Sequence, residues 1–104
     1  MSLQVVMKVC ADPINRQILE LLRNSSLSAG QISEHFDVSF GAISQHLAAL
    51  KEADLVRSHR KGRYIIYELN TSVLEQVLVW VQSLCIRDEA VNKQTVSLQM
   101  KEDH

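Results

Sequence analysis

Residues 28–50, SAGQISEHFDVSFGAISQHLAAL, decide the fold. Ser28 with Gln31 three positions later is a capping box: each side chain satisfies an amide at the start of a helix. Ile32 and Phe36 give that helix one apolar edge. Asp37-Val38-Ser39 reads as a tight turn, and Ser39 stands where it can cap a second helix. The second helix runs from about Phe40 to Glu52, with Ile43, Leu47 and Leu50 at the spacing of a buried face. Helix, three-residue turn, helix is the spacing of a helix-turn-helix, whose second helix is built to enter a DNA major groove.

Toward the C-terminus, Leu55 to His59 reads as a short strand and Arg60-Lys61-Gly62-Arg63 as a hairpin turn, with Gly62 free to take a positive φ. Tyr64 to Leu69 alternates, with Ile65, Tyr67 and Leu69 on one face and Tyr64, Ile66 and Glu68 on the other. This hairpin is a wing. Ser72 and Glu75 form a second capping box and open a last helix from about Val73 to Ile86. Toward the N-terminus, Leu3 to Cys10 is a short helix with Leu3, Val6 and Met7 on one side. Asp12-Pro13 starts another, which buries Ile14, Ile18, Leu21 and Leu22 and ends at Asn24-Ser25-Ser26. The expected order is α-α-α-α-β-β-α, mainly α with a small β-hairpin and only two strands. Residues 1–90 are expected to form one winged helix-turn-helix domain for DNA binding and dimerisation, and 91–104 a flexible tail.

Composition narrows the function classes. A chain of 104 residues with 46% apolar content can pack a core but buries a small fraction of its surface alone, so a second subunit is a natural complement. No apolar run approaches the roughly 20 residues that span a bilayer, and no signal peptide is visible, so no membrane insertion and a cytoplasmic site are expected. Two cysteines are too few for a disulfide framework. Formal net charge is -1, yet Leu55 to Tyr67 holds Arg57, Arg60, Lys61 and Arg63 and no acid. One concentrated basic spot on a neutral chain needs a local anionic partner. No nucleophile–base arrangement or phosphate loop is visible, and no catalytic residue or cofactor is expected.

The helical period turns Phe40, Gly41, Ser44, Gln45 and Ala48 outward on the second motif helix. Gln45 donates and accepts together, which suits the edge of adenine; Ser44 hydrogen-bonds several bases; Phe40 suits a thymine methyl or a neighbouring helix. Gly41 and Ala42 are small enough for close approach. Ser39 caps and has a hydroxyl for phosphate, and Ser28 and Gln31 at the start of the preceding helix have amides and side chains suited to a backbone phosphate. His46, beside Leu47, reads as a hydrogen-bonded structural residue within reach of phosphate, and His35 reads the same way. Arg60, Lys61 and Arg63 supply charge for phosphates or the minor groove. On the last helix Leu74, Val77, Leu78, Val81, Leu84 and Cys85 form one stripe, widened by Val73, Val79 and Trp80 beyond what one core contact requires. With Leu3, Val6 and Met7 they are the expected dimer surface.

Ala11-Asp12-Pro13 with Arg16 and Ile18-Leu19, then Ser44-Gln45-His46-Leu47 with Leu50, Ala53 and Leu55-Val56, then Gly62-Arg63, Tyr67 and Leu69, are in ordered spacing. With them the chain resembles the ArsR/SmtB family of winged-helix repressors over roughly Ala11 to Leu84. The resemblance implies a homodimer joined through its first and last helices and bound to an imperfect palindrome near a promoter. Many relatives are metal sensors, with a Cys-x-Cys motif on the first motif helix or Asp/His and His/Glu ligands on the last. This sequence departs from both, since Ala29 to Phe36 has no cysteine and Val73 to Ile86 has neither His nor Asp. No metal is therefore expected. Relatives without effector sites include autorepressors controlled by a partner protein, the kind this chain most resembles. Two alternatives stand beside a dimeric repressor: a thiol-switched repressor using Cys10 and Cys85, and a winged-helix module that binds protein. The second would favour an apolar recognition surface and an uncharged wing.

Overall fold

The computed structural model of the chain describes residues 2–86. The expected tail at 91–104 lies outside them. The chain divides into two compact units, Met1–Leu74 and Glu75–His104.

The first unit opens with α1 (Leu3–Cys10), whose cap Ser2 accepts from the Val5 amide. Its C-terminal carbonyls are met by Arg16: Nη1 donates to the carbonyls of Cys10 at 2.8 Å and Ala11 at 3.0 Å. A cation on the last carbonyls of a helix compensates its dipole. Helix α2 (Pro13–Leu21) begins as its residues dictate, with Asp12 Oδ1 accepting from the Ile14 amide at 2.8 Å and proline in the first turn. Ile18 and Leu22 are fully buried, while Ile14 and Leu21 are half-buried.

A strand follows that the residue pattern conceals. β1 (Leu27–Ser28) pairs antiparallel with the second wing strand, Leu27 opposite Tyr67 and Ser28 opposite Ile66. The order is therefore α-α-β-α-α-β-β-α, with a three-stranded sheet in the order β1-β3-β2 and not a two-stranded wing. Two residues are too few to show alternation, and Ser28 reads first as a cap. It does cap: α3 (Ala29–Ser33) carries the complete capping box of Ser28 and Gln31. The helix is short, but the His35 and Phe36 amides still reach back to the Ile32 and Ser33 carbonyls. Residues 37–39 are left as the turn.

Helix α4 (Phe40–Glu52) has the expected bounds, with Ser39 as its cap and Ile43, Leu47 and Leu50 buried. Its end is a Schellman motif, with the Asp54 amide on the Lys51 carbonyl, the Leu55 amide on the Leu50 carbonyl, and Asp54 in the left-handed region at φ 62°. Leu50 and Leu55, the apolar pair of that motif, are both sealed from solvent.

β2 (Val56–Lys61) and β3 (Tyr64–Leu69) form the wing. Lys61 pairs with Tyr64, so Arg60 and Lys61 belong to the strand and the turn is Gly62-Arg63 alone. Gly62 takes φ 65° while Arg63 does not turn positive, the pattern of a two-residue turn with glycine first. Charged residues hid the strand's extent because an exposed hairpin pairs its backbone whatever its side chains. Asn70 locks the wing base: its amide donates to the Leu55 carbonyl at 2.9 Å and its Nδ2 to the Asp54 carbonyl at 2.9 Å. Helix α5 (Thr71–Cys85) starts two residues earlier than expected. Ser72 is thus inside the helix and cannot cap it with Glu75.

The core of the first unit is Val6, Ile18, Leu22, Ile32, Ile43, Leu47, Leu50, Leu55, Val56 and Val73. Val6 is 2% exposed within its own chain. That removes it from the expected dimer surface, and the exposed apolar atoms of α1 belong to Val5 and Met7.

Candidate nucleic-acid interface

The N-terminal half of α4 presents a narrow exposed edge. Phe40, Gly41, Ser44, Gln45 and Ala48 are all open, and the buried Ile43, Leu47 and Leu50 anchor the opposite side. Phe40 is 55% exposed, so packing on a neighbouring helix does not account for it. A Cβ at Gly41 would meet only Ser39 Oγ, at 3.8 Å. Nothing among the described residues requires glycine there. Ala42 is half-buried.

The cap residues are arranged as donors. Ser28 Oγ accepts from the Gln31 amide at 3.1 Å, and Gln31 Oε1 accepts from the Ser28 amide at 2.9 Å. Ser39 Oγ accepts from the Ala42 amide at 3.0 Å. Each of these oxygens already accepts one bond from the backbone, while the Ser28 and Ser39 hydroxyl protons and the Gln31 NH₂ group remain as donors, and donors suit phosphate. Ser28, Gly30, Gln31 and Glu34 share a groove of about 490 Å³ with Lys61, Tyr64 and Ile66 of the wing. The groove places a lysine near the α3 donors, with Glu34 as its one acid.

At the wing, Arg60, Lys61 and Arg63 are exposed around the two-residue turn. The Arg63 guanidinium lies 5.7 Å from the centroid of the Tyr64 ring. Arg57 is occupied elsewhere, with Nη2 donating to Asn70 Oδ1 at 3.1 Å at the wing base. The tip therefore carries three of the four cations of the hairpin.

His46 faces a different way from Gln45. Its Nδ1 lies 2.9 Å from Asn15 Oδ1 and 3.6 Å from Asp12 Oδ2. Asn15 is 4% exposed and donates Nδ2 to the Val9 carbonyl at 2.9 Å, so its Oδ1 accepts and His46 Nδ1 carries the proton. His46 thus serves first to hold α4 against the start of α2. Sequence reasoning misses Asn15; the available signal is a histidine flanking a buried face, which needs a polar partner. His35 Nδ1 lies 3.0 Å from the Gln31 carbonyl, a local structural contact.

The cysteines differ. Burial pushes the Cys10 thiol up from its ordinary pKa, and Arg16 opposes this only in part. Cys85 is exposed. Among the described residues, no three of His, Cys, Asp and Glu converge as a metal site would require. No described helix is long and apolar enough to cross a membrane.

The sequence profile of the arsR family of bacterial regulatory proteins matches residues 12–58, from the α2 cap through the first half of β2. The transcriptional repressor SdpR of Bacillus subtilis is 46% identical over 73% of this chain and 84% of its own length. The chain belongs to the arsR family. This ArsR-family protein is also 33% identical to the arsenical resistance operon repressor of Staphylococcus xylosus, over 73% of each. Among solved structures, a possible transcriptional regulator for arsenical resistance superposes with a TM-score of 0.69 at 34% identity, covering 88% of this chain and 93% of that one. The ArsR-family chain is a DNA-binding transcriptional regulator and not an enzyme, and its winged-helix fold is that of these relatives.

Proposed function

We propose that the protein is a homodimeric repressor that binds an imperfect palindromic operator in the cytoplasm, each protomer laying α4 in a major groove with the wing alongside. The observation that carries this reading is the exposed edge of α4 in the same compact unit as a tri-basic wing tip. Gln45, Ser44, Phe40 and Gly41 face bases; Ser39, Ser28, Gln31 and Lys61 hold the backbone; Arg60 and Arg63 meet phosphates or the minor groove. His46 contributes by fixing the helix through Asn15, and it can donate to a phosphate only with a proton on Nε2 as well.

Dimerisation is supported by apolar side chains that remain open. On α5, Leu78 is 54% exposed, Val79 64% and Leu84 67%, with Val81 and Trp80 also open. Leu74 and Val77 are half-buried, and Cys85 at the end of the helix is exposed. On α1, Met7 and Val5 are open and Leu3 is half-buried. Exposed apolar side chains gathered on one helix of a small chain are the kind of surface that marks an association site, and each of these helices carries some. The name of SdpR supports repression as the outcome, and control by a protein partner fits a chain without the known sensor ligands. A thiol switch is weakened by Cys10, whose raised pKa keeps the unreactive thiol form.

The test is sedimentation of the purified chain with and without duplexes selected from a randomised pool. Two protomers per palindrome, with an affinity that falls steeply with salt, is the expected outcome. A monomer at micromolar concentration, or no selected duplex, rejects the proposal.

A further inference from the structure

We propose that the recognition edge of α4 is specific for A·T-weighted half-sites, with Phe40 docking on a thymine methyl and Gln45 pairing with a neighbouring adenine. This deepens the DNA-reading assignment above and rests on it.

From Phe40 to Ala48 the exposed edge carries no cation. The commonest specific contact to guanine is an Arg or Lys on its O6 and N7, and this edge has none to give. Lys51 is the first cation along α4, in its last turn, seven residues beyond Ser44 and so roughly 10 Å further along the axis. What the edge does carry is one amide, one hydroxyl and apolar surface. The apolar part is concentrated where the helix begins: Phe40 at 55% exposure and Val38 at 39% flank the capping Ser39. The recognition helix enters the groove by this end. On the floor of a major groove the apolar group offered is the C5 methyl of thymine, and the partner that satisfies both halves of the Gln45 amide is adenine.

The wing points the same way independently. Arg60 and Lys61 end β2 and Arg63 lies in the turn that follows, so three cations crowd a tip closed by only two residues. A thin cationic tip gains most from a narrow minor groove of enhanced negative potential, which is the property of A-tracts.

The experiment uses the whole chain. Duplexes are selected from a randomised pool, and the winner is resynthesised with deoxyuridine replacing one thymine at a time, which removes only the methyl. One methyl withdrawn from apolar contact corresponds to a loss of about fourfold in affinity. That loss is expected at one or two positions of each half-site for the natural chain. Phe40→Ala should bind the thymine duplex more weakly and respond equally to uracil and thymine, while Phe40→Leu should keep the discrimination. Unchanged melting of both variants shows that the fold is intact, as the exposure of Phe40 leads one to expect. G·C pairs at the steps facing α4, uracil without effect, or the same uracil effect in Phe40→Ala each overturn the proposal while leaving DNA binding standing. A pool that yields no enriched duplex overturns the underlying reading, and this one with it.

Discussion

At the scale of single residues, Asn15 is the polar group whose loss should matter most. It is 4% exposed and joins the Val9 carbonyl to His46 Nδ1. Asn15→Ala leaves both partners unsatisfied in a sheltered place, so unfolding in urea at fixed protein concentration should show a loss of roughly 1–3 kcal/mol. Asn15→Ala should also weaken operator binding, because His46 no longer fixes α4. Cys10 offers a second test at this scale. A raised thiol pKa means less thiolate at any pH below it, so alkylation of Cys10 should follow a pH profile displaced upward from that of an unfolded control. In the folded state the thiolate is disfavoured, so this group's contribution to stability is complete below the unfolded pKa. It is lost as pH rises from there through the folded pKa. A Cys10 profile matching or preceding the unfolded control would remove burial as the controlling influence.

At the scale of elements, specificity and attraction are divided between α4 and the wing in the proposed complex. Arg60→Ala with Arg63→Ala should weaken all duplexes alike and flatten the plot of log affinity against log salt by about one unit for each phosphate no longer neutralised. Titration at several ionic strengths measures this, and an unchanged slope would take the wing out of the interface. The elements also show what the residue pattern reveals. The bounds of α4 are readable because Ser39 caps it and Ile43, Leu47 and Leu50 fall at helical spacing. β1 is not, because two residues carry no period and Ser28 announces a helix. The first unit's core is largely legible in apolar spacing. Asn15, the one buried polar residue among those described, is not, since local sequence does not reveal a partner 31 positions away.

At the scale of the whole molecule, association is the property to test. Leu78→Glu with Leu84→Glu places two charges among exposed apolar groups of α5 and touches none of the described core. The expected result is a folded monomer by sedimentation, with operator affinity reduced by roughly a hundredfold or more, because each half-site is then bound without the other's assistance. A dimer that survives both substitutions would shift the association surface elsewhere. Ser28 belongs to the strand that flanks β3 and, through its hydroxyl, also begins α3. The hairpin and the helical motif therefore share a hinge pin. If the wing holds phosphates as proposed, lifting it would pull through Ser28 on the foot of α3, so that each reading head would leave the duplex as one piece.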